Sequence, residues 1–207
     1  MPADSMLGYI FKGGFFMYPI LLCSVISLAI FFEKLRVLQR GRVIPPGFLI
    51  DFEHMLRAEK VAPALDLCKQ TDAPISRILA GGIKNYGKRR EVIKELIQEV
   101  GRREAAYLEK YVEALATIAN VATLLGLLGT IAGMIKIFGV IAQQDLVNPS
   151  LLAGGISEAL YTTGAGLGVA IPTLIFYRII TGKADALILE MEEYCLRMVE
   201  LIKEQRP

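Results

Sequence analysis

Histidine occurs once, at His54, so a histidine-based metal site or a Ser-His-Asp triad has almost no material. Cysteine occurs three times, as Cys23, Cys68 and Cys195, with no C-x-x-C pair, and no disulfide is expected. A net charge of +2 is too small to imply a nucleic-acid partner by itself. Gly82–Lys88 spells G-x-x-x-x-G-K, but Arg89 follows where a phosphate loop needs Ser or Thr, and no strand precedes it. That segment reads as a basic turn. Gly164, Gly166 and Gly168 mimic a dinucleotide fingerprint only superficially, because they lie in an uncharged run. No nucleophile–base pair, metal cluster or phosphate loop remains. The sequence therefore does not read as an enzyme and implies neither cofactor nor metal.

Charge itself is missing from three long stretches. Residues 13–32 are twenty without a charge, 114–135 are twenty-two, and 159–177 are nineteen. A hydrocarbon core about 30 Å thick needs roughly twenty helical residues to cross it. Mean hydropathy of +0.46 and 54% hydrophobic content agree with a membrane protein. The first run follows only Lys12, exceeds a signal-peptide core in length, and has no clear small-residue cleavage site before Glu33, so an uncleaved span is expected.

With three spans, residues 33–113 and the C-terminal tail share one side of the membrane. Those two segments hold 21 of the 23 lysines and arginines, leaving only Lys12 and Lys136 opposite. Positive charge marks the cytoplasmic side, which puts the N-terminus out and the C-terminus in. The expected fold is an all-α integral membrane protein with three transmembrane helices and long cytoplasmic helical extensions. Its parts are a periplasmic N-terminus (1–12), spans at 13–32, 114–142 and 158–177, a cytoplasmic helical loop (33–113), a periplasmic loop (143–157) and a cytoplasmic C-terminal helix (178–207).

Within the cytoplasmic loop, Pro45, Pro46 and Gly47 are expected to stop a helix. Two short amphipathic helices over 48–60 and 62–70, broken near Pro63, and a third from Pro74 come next. No proline occurs between Pro74 and Pro149, and the apolar stripe Val92, Ile93, Leu96, Ile97, Val100 continues through Tyr107, Leu108 and Tyr111. This predicts one unbroken helix over 90–142, about 80 Å long at 1.5 Å per residue. Such extensions carry apolar stripes that an oligomer of side-by-side helices would cover.

The spans are not plain lipid fillers. Gly126, Gly129 and Gly133 in span two, and Gly166 in span three, are the kind of small residue that lets helix backbones approach closely. Thr117, Asn120, Thr123 and Thr130 recur at intervals of three and seven and so share a face. In span three, Glu158 and Thr162 stand four apart, while Thr163 starts a face continued by Gly166, Ala170 and Thr173. Aligned polar faces suit a bundle interior or a water-accessible lumen, and an ionisable group at a span is a functional candidate. Lys136 is placed to pair with Glu158. Pro172 removes a backbone donor within span three, which predicts a kink or a packing adjustment.

The stretch "LLGLLGTIAGMIKIF", followed by "GISEALYTTGAGLGVAIPT", resembles the signature of the MotA/TolQ/ExbB proton-channel family, most closely its ExbB and TolQ branch. Three spans fit that branch and not the four of the MotA branch. The resemblance implies the channel-forming subunit of a proton-driven motor in a bacterial inner membrane, working in TonB-dependent uptake or a Tol–Pal type system. It implies a homopentamer around a dimer of an ExbD- or TolR-like single-span partner, with membrane lipid and a TonB- or TolA-like protein as further contacts. Thr130 and Thr163 match the family's pore threonines, Glu158 matches the glutamate of its third-span motif, and Pro172 matches its proline. Periodicity alone pairs Glu158 with Thr162, about 40° away on the helical wheel, rather than with Thr163, about 140° away. The candidate proton-pathway set is therefore Thr130, Thr163, Glu158, Thr162, Thr123 and Asn120. A self-contained transporter and a passive membrane scaffold are the alternative readings.

Overall fold

A computed structural model describes residues 14–142 and 149–204, so residues 1–13, which include Lys12 and the expected periplasmic N-terminus, residues 143–148 and residues 205–207 lie outside the described residues. Among the described residues every regular element is a helix. The order is α1 (Met17–Val37), α2 (Arg40–Val43), α3 (Pro46–Arg57), α4 (Val61–Gln70), α5 (Pro74–Ile83), α6 (Arg90–Glu109), α7 (Val112–Ile141) and α8 (Pro149–Glu204). Two units divide the chain: one holds the residues up to Phe32 with Tyr111–Arg178, the other Glu33–Lys110 with the residues from Ile179 on.

Prolines start these helices more often than they stop them. Pro46, Pro74 and Pro149 are the first residues of α3, α5 and α8. Their fixed φ suits a helix start, and the amide hydrogen they lack has no partner there anyway. A helix does end just before this segment, at Val43, and Pro45 is extended, but Pro46 and Gly47 also open α3, and Pro63 sits in the first turn of α4 rather than at a break. The break between α3 and α4 falls at Glu59, which adopts a left-handed φ of 56°. Residues 149–157, expected as loop, are the opening turns of α8.

The expected unbroken helix over 90–142 is interrupted. Helix α6 ends at Glu109, Tyr111 takes φ 66°, and α7 begins at Val112. Lys34, only 3% exposed, donates from Nζ to the Leu108 carbonyl at 3.3 Å. Carbonyls in a last helical turn lack amide partners and carry partial negative charge, which a buried ammonium satisfies. Lys34→Met is expected to lower the thermal midpoint by several degrees, the loss of a charged hydrogen bond worth about 2 kcal/mol. Amide exchange should rise around Leu108–Tyr111, and unchanged exchange there would remove Lys34 from this role.

In the second unit, α5 buries Ile75, Ile78, Leu79 and Ile83, and α6 contributes Ile93 and Ile97. Gly82 admits the Ile97 side chain so closely that an added Cβ would lie 2.8 Å from Ile97 Cδ1. The basic turn after α5 reverses at Gly87, with φ 103°. Arg40 pairs with Glu190, linking the segment after α1 to the distal part of α8. Burial pushes the Cys68 and Cys195 thiols up to about 12, so neither is a thiolate near neutral pH.

The first unit is apolar outside as well as inside. Phe15, Leu22, Val25, Phe32, Leu124, Ile135, Phe138, Leu160, Ile171 and Ile175 are all exposed. Two helical stretches, Arg90–Ile141 and Leu152–Leu201, contain windows long and apolar enough to cross a membrane. Helix α1 is apolar from Met17 to Phe32, and its Phe31 ring stacks on Phe176 of α8 with centroids 4.1 Å apart.

Candidate functional site

Helices α7 and α8 meet along a seam of small residues. On α7 the buried positions are Ala119, Ala122, Gly126, Gly129 and Gly133, spaced alternately three and four apart. On α8 the facing positions are Gly155, Ala159, Thr162, Gly166 and Ala170. A Cβ at Gly166 would lie 2.7 Å from the Ala122 carbonyl oxygen, one at Gly129 2.7 Å from Thr162 Cβ, and one at Gly133 2.8 Å from Ala159 Cβ. Contacts descend α8 as they ascend α7, so the two helices are antiparallel. The alternating spacing is that of a heptad seam, built here from residues small enough for backbone to touch backbone. Cys23 of α1 and Val169 pack against its Ala119–Ala122–Ala170 cluster.

This seam takes up part of the polar surface expected to face a lumen. Thr162 is 1% exposed and wedged against Gly129, and Thr173 is 1% exposed. Gly166 and Ala170 are buried too, so the face thought to start at Thr163 is largely the packing face of α8. Within the chain, Thr162 packs against α7 instead of facing outward. Small residues and threonines repeat with the same period in a packed seam and in a wet channel, so spacing could not separate the two. Of the seam's alanines, Ala170 falls on the small-residue face read from the sequence, whereas Ala119, Ala122 and Ala159 carry no signal of their own, because alanine is also the strongest helix former.

The other polar positions lie at the seam's edge or outside it. Thr117, Asn120 and Thr123 are exposed, while Thr130 and Thr163 are partly so. Most threonine hydroxyls donate to their own helix: Thr117 to the Glu113 carbonyl at 3.1 Å, Thr123 to Ala119 at 3.0 Å, Thr130 to Leu127 at 2.6 Å and Thr162 to Glu158 at 2.9 Å. Thr163 is different. Its Oγ1 donates across to the Gly126 carbonyl of α7 at 2.9 Å. A hydroxyl has one hydrogen and two lone pairs, so each of these groups, its hydrogen committed, can still accept from a water, a hydronium or a protonated carboxyl group.

Glu158 and Lys136 form an ion pair at 3.3 Å, with the carboxylate side chain 34% exposed and the ammonium 70% exposed. Gly14 lies against the same carboxylate, where an added Cβ would be 3.4 Å from Cδ. Between Glu113 and Lys136, and between Glu158 and Arg178, there is no carboxylate, lysine, arginine or histidine. Helix α8 passes through Pro172, whose ring is exposed and whose missing amide leaves the Gly168 carbonyl without its usual partner. His54 is exposed on α3, and no metal-binding cluster of histidine, cysteine or carboxylates occurs among the described residues.

A model of the MotA/TolQ/ExbB proton channel family matches residues 70–193, which takes in the seam, the polar positions around it and the ion pair. This chain belongs to that family. It is therefore a member of a family of membrane-embedded proton channels. Among named relatives, the putative biopolymer transport protein ExbB-like 1 of Synechocystis sp. is 29% identical over 183 residues, covering 84% of this chain and 70% of its own. The biopolymer transport protein ExbB of Aquifex aeolicus is 34% identical over 114 residues, 55% of this chain and 76% of that protein. The structure of C. jejuni MotAB matches with a TM-score of 0.58 at 18% identity, covering 95% of this chain and 82% of that one. At that identity the likeness concerns the fold.

Proposed function

We propose that this chain is the channel-forming subunit of a proton-driven motor in a bacterial inner membrane, acting with an ExbD- or TolR-like single-span partner. The reading takes α1, α7 and the first half of α8 as three spans, N-terminus periplasmic and C-terminus cytoplasmic, on the distribution of lysine and arginine. Five copies would surround a partner dimer. The work delivered to the envelope would be of the TonB-dependent or Tol–Pal kind, reached through a TonB- or TolA-like protein.

One observation carries this reading. The α7 surface that the chain leaves exposed presents Asn120 and Thr123, with Thr130 partly open, yet the stretch between Glu113 and Lys136 contains no group that titrates as an acid or base. Threonine cannot carry a proton by ionising near neutral pH. A hydroxyl already donating to its own backbone can accept from a neutral carboxyl group but has no hydrogen left for a carboxylate. Thr123 and Thr130 can thus receive the protonated form of an acid brought in from outside, while the Asn120 amide can donate to either form, and a partner's carboxyl group fits that role. Each proton crossing supplies about 2.3 kcal/mol per 100 mV of potential. Spent one subunit at a time, that energy would turn the partner inside the ring.

Vesicles test this directly. The complex gently extracted from its own membrane is expected to conduct protons under an imposed potential, whereas the chain alone is not. Equal conduction by the chain alone would make it a self-contained transporter.

A further inference from the structure

The second unit contains a cleft of about 630 Å³ whose polar lining includes Arg42, Asp72, Arg77, Arg103, Glu104 and Tyr107. Its carboxylates are already committed. Arg77 makes a two-pronged bond to Glu104 at 2.8 and 2.7 Å and a third bond to Asp72 at 2.7 Å. The hydrogen bond and charge of Glu104 hold the Arg77 pKa above its ordinary value, so this group stays cationic and locked in place. The remaining two guanidiniums are not neutralised within the cleft. Arg103 pairs only with Glu99, one helical turn away and outside the lining, and both partners of that pair are more than half exposed. Exposed pairs of that kind contribute little and exchange readily. Arg42 makes no side-chain hydrogen bond or ion pair among the described residues.

We infer that this cleft is a binding site for a phosphate-bearing anion, gripped by Arg42 and Arg103 with the Tyr107 hydroxyl beside them. Guanidinium forks match phosphate oxygens two at a time, and Arg77, engaged by Glu104 and Asp72, offsets part of the charge of those carboxylates and leaves the grip to Arg42 and Arg103. Arg42 lies ten residues beyond Phe32, and Tyr107 four before Tyr111. On the three-span topology proposed above, both stand close to the cytoplasmic leaflet, where anionic headgroups concentrate. Only that choice of source rests on the topology. The phosphate itself can belong to a lipid headgroup or to a free phosphate.

The test uses the full-length protein in a neutral detergent, titrated separately with short-chain phosphatidylglycerol, short-chain phosphatidylcholine and inorganic phosphate. The expected result is at least tenfold tighter binding of phosphatidylglycerol than of phosphatidylcholine, lost in R42Q/R103Q and weakened in R42Q alone, with thermal midpoints unchanged. Phosphate binding that R42Q/R103Q abolishes, without any lipid preference, would support the site and assign it the soluble source. Binding of all three ligands equally by the native chain and R42Q/R103Q, or by neither, would overturn the proposal. The titration involves neither a partner nor proton flow, so its failure is separate from failure of the motor reading.

Discussion

Gly166→Leu is expected to separate α7 from α8 and leave little folded protein to extract. An added Cβ at Gly166 meets the Ala122 carbonyl oxygen at 2.7 Å, Gly126 Cα at 3.0 Å and Gly126 N at 3.2 Å. All three are backbone atoms, so no side chain can swing aside. Ordinary overpacking costs about 1–3 kcal/mol because neighbouring rotamers absorb part of it. Here a whole helix must move, and the loss is expected to exceed that range. Gly164 stands two residues away on the same helix with nothing within 4 Å of an added Cβ. Gly164→Leu is therefore expected to leave the α7–α8 pairing intact. The check is amide exchange along residues 119–133 in both variants. Equal protection in G166L and the native chain would show that the seam does not hold the helices together.

Thr163→Val separates structure from transport. Valine keeps the shape and loses the bond from Thr163 Oγ1 to the Gly126 carbonyl. Interhelical hydrogen bonds in membranes average about 0.6 kcal/mol, so the thermal midpoint is expected to fall only slightly. Proton-coupled output is expected to drop at least tenfold, because the hydroxyl that can accept from an arriving acid is gone. Thr163→Ser, which restores the hydroxyl, is expected to recover most of the output. Thr162→Val offers the contrast. Its side chain is buried within the chain, and the hydroxyl bonds its own helix, so its loss is expected to leave proton-coupled output within about twofold of the native level. Full output from T163V would withdraw Thr163 from the proton route, and a T162V variant as inactive as T163V would show that the effect belongs to packing.

The contrast between those two threonines marks where the sequence stops being informative. Long uncharged runs announce apolar helices because few other structures tolerate them, and the glycines of α7 announce close packing. Whether a threonine flanked by glycines faces a neighbouring helix or a lumen depends on a rotation of tens of degrees. Thr162 and Thr163 differ by about 100° on the wheel; the family motif singles out Thr163, periodicity favours Thr162, and the contacts of Thr162 with Gly129 and of Thr163 with the Gly126 carbonyl give each its surroundings. The interruption at Tyr111 was invisible for a different reason. Neither Gly nor Pro marks it, the apolar period runs through it, and a tyrosine in the left-handed region is uncommon. What stabilises it includes a lysine 74 positions away, at Leu108, which no local reading could supply. Prolines misled in the opposite direction, since a proline at a first helical position and one at a stop look alike without their neighbours' dihedral angles.

The most direct test of the motor account is native mass spectrometry of the complex, extracted mildly from its own membrane. The account predicts five copies of this chain with two copies of a small single-span protein carrying a carboxyl group in its span. A homo-oligomer that reproducibly retains no companion would contradict it, and the proton route through Thr130 and Thr163 would have to be abandoned.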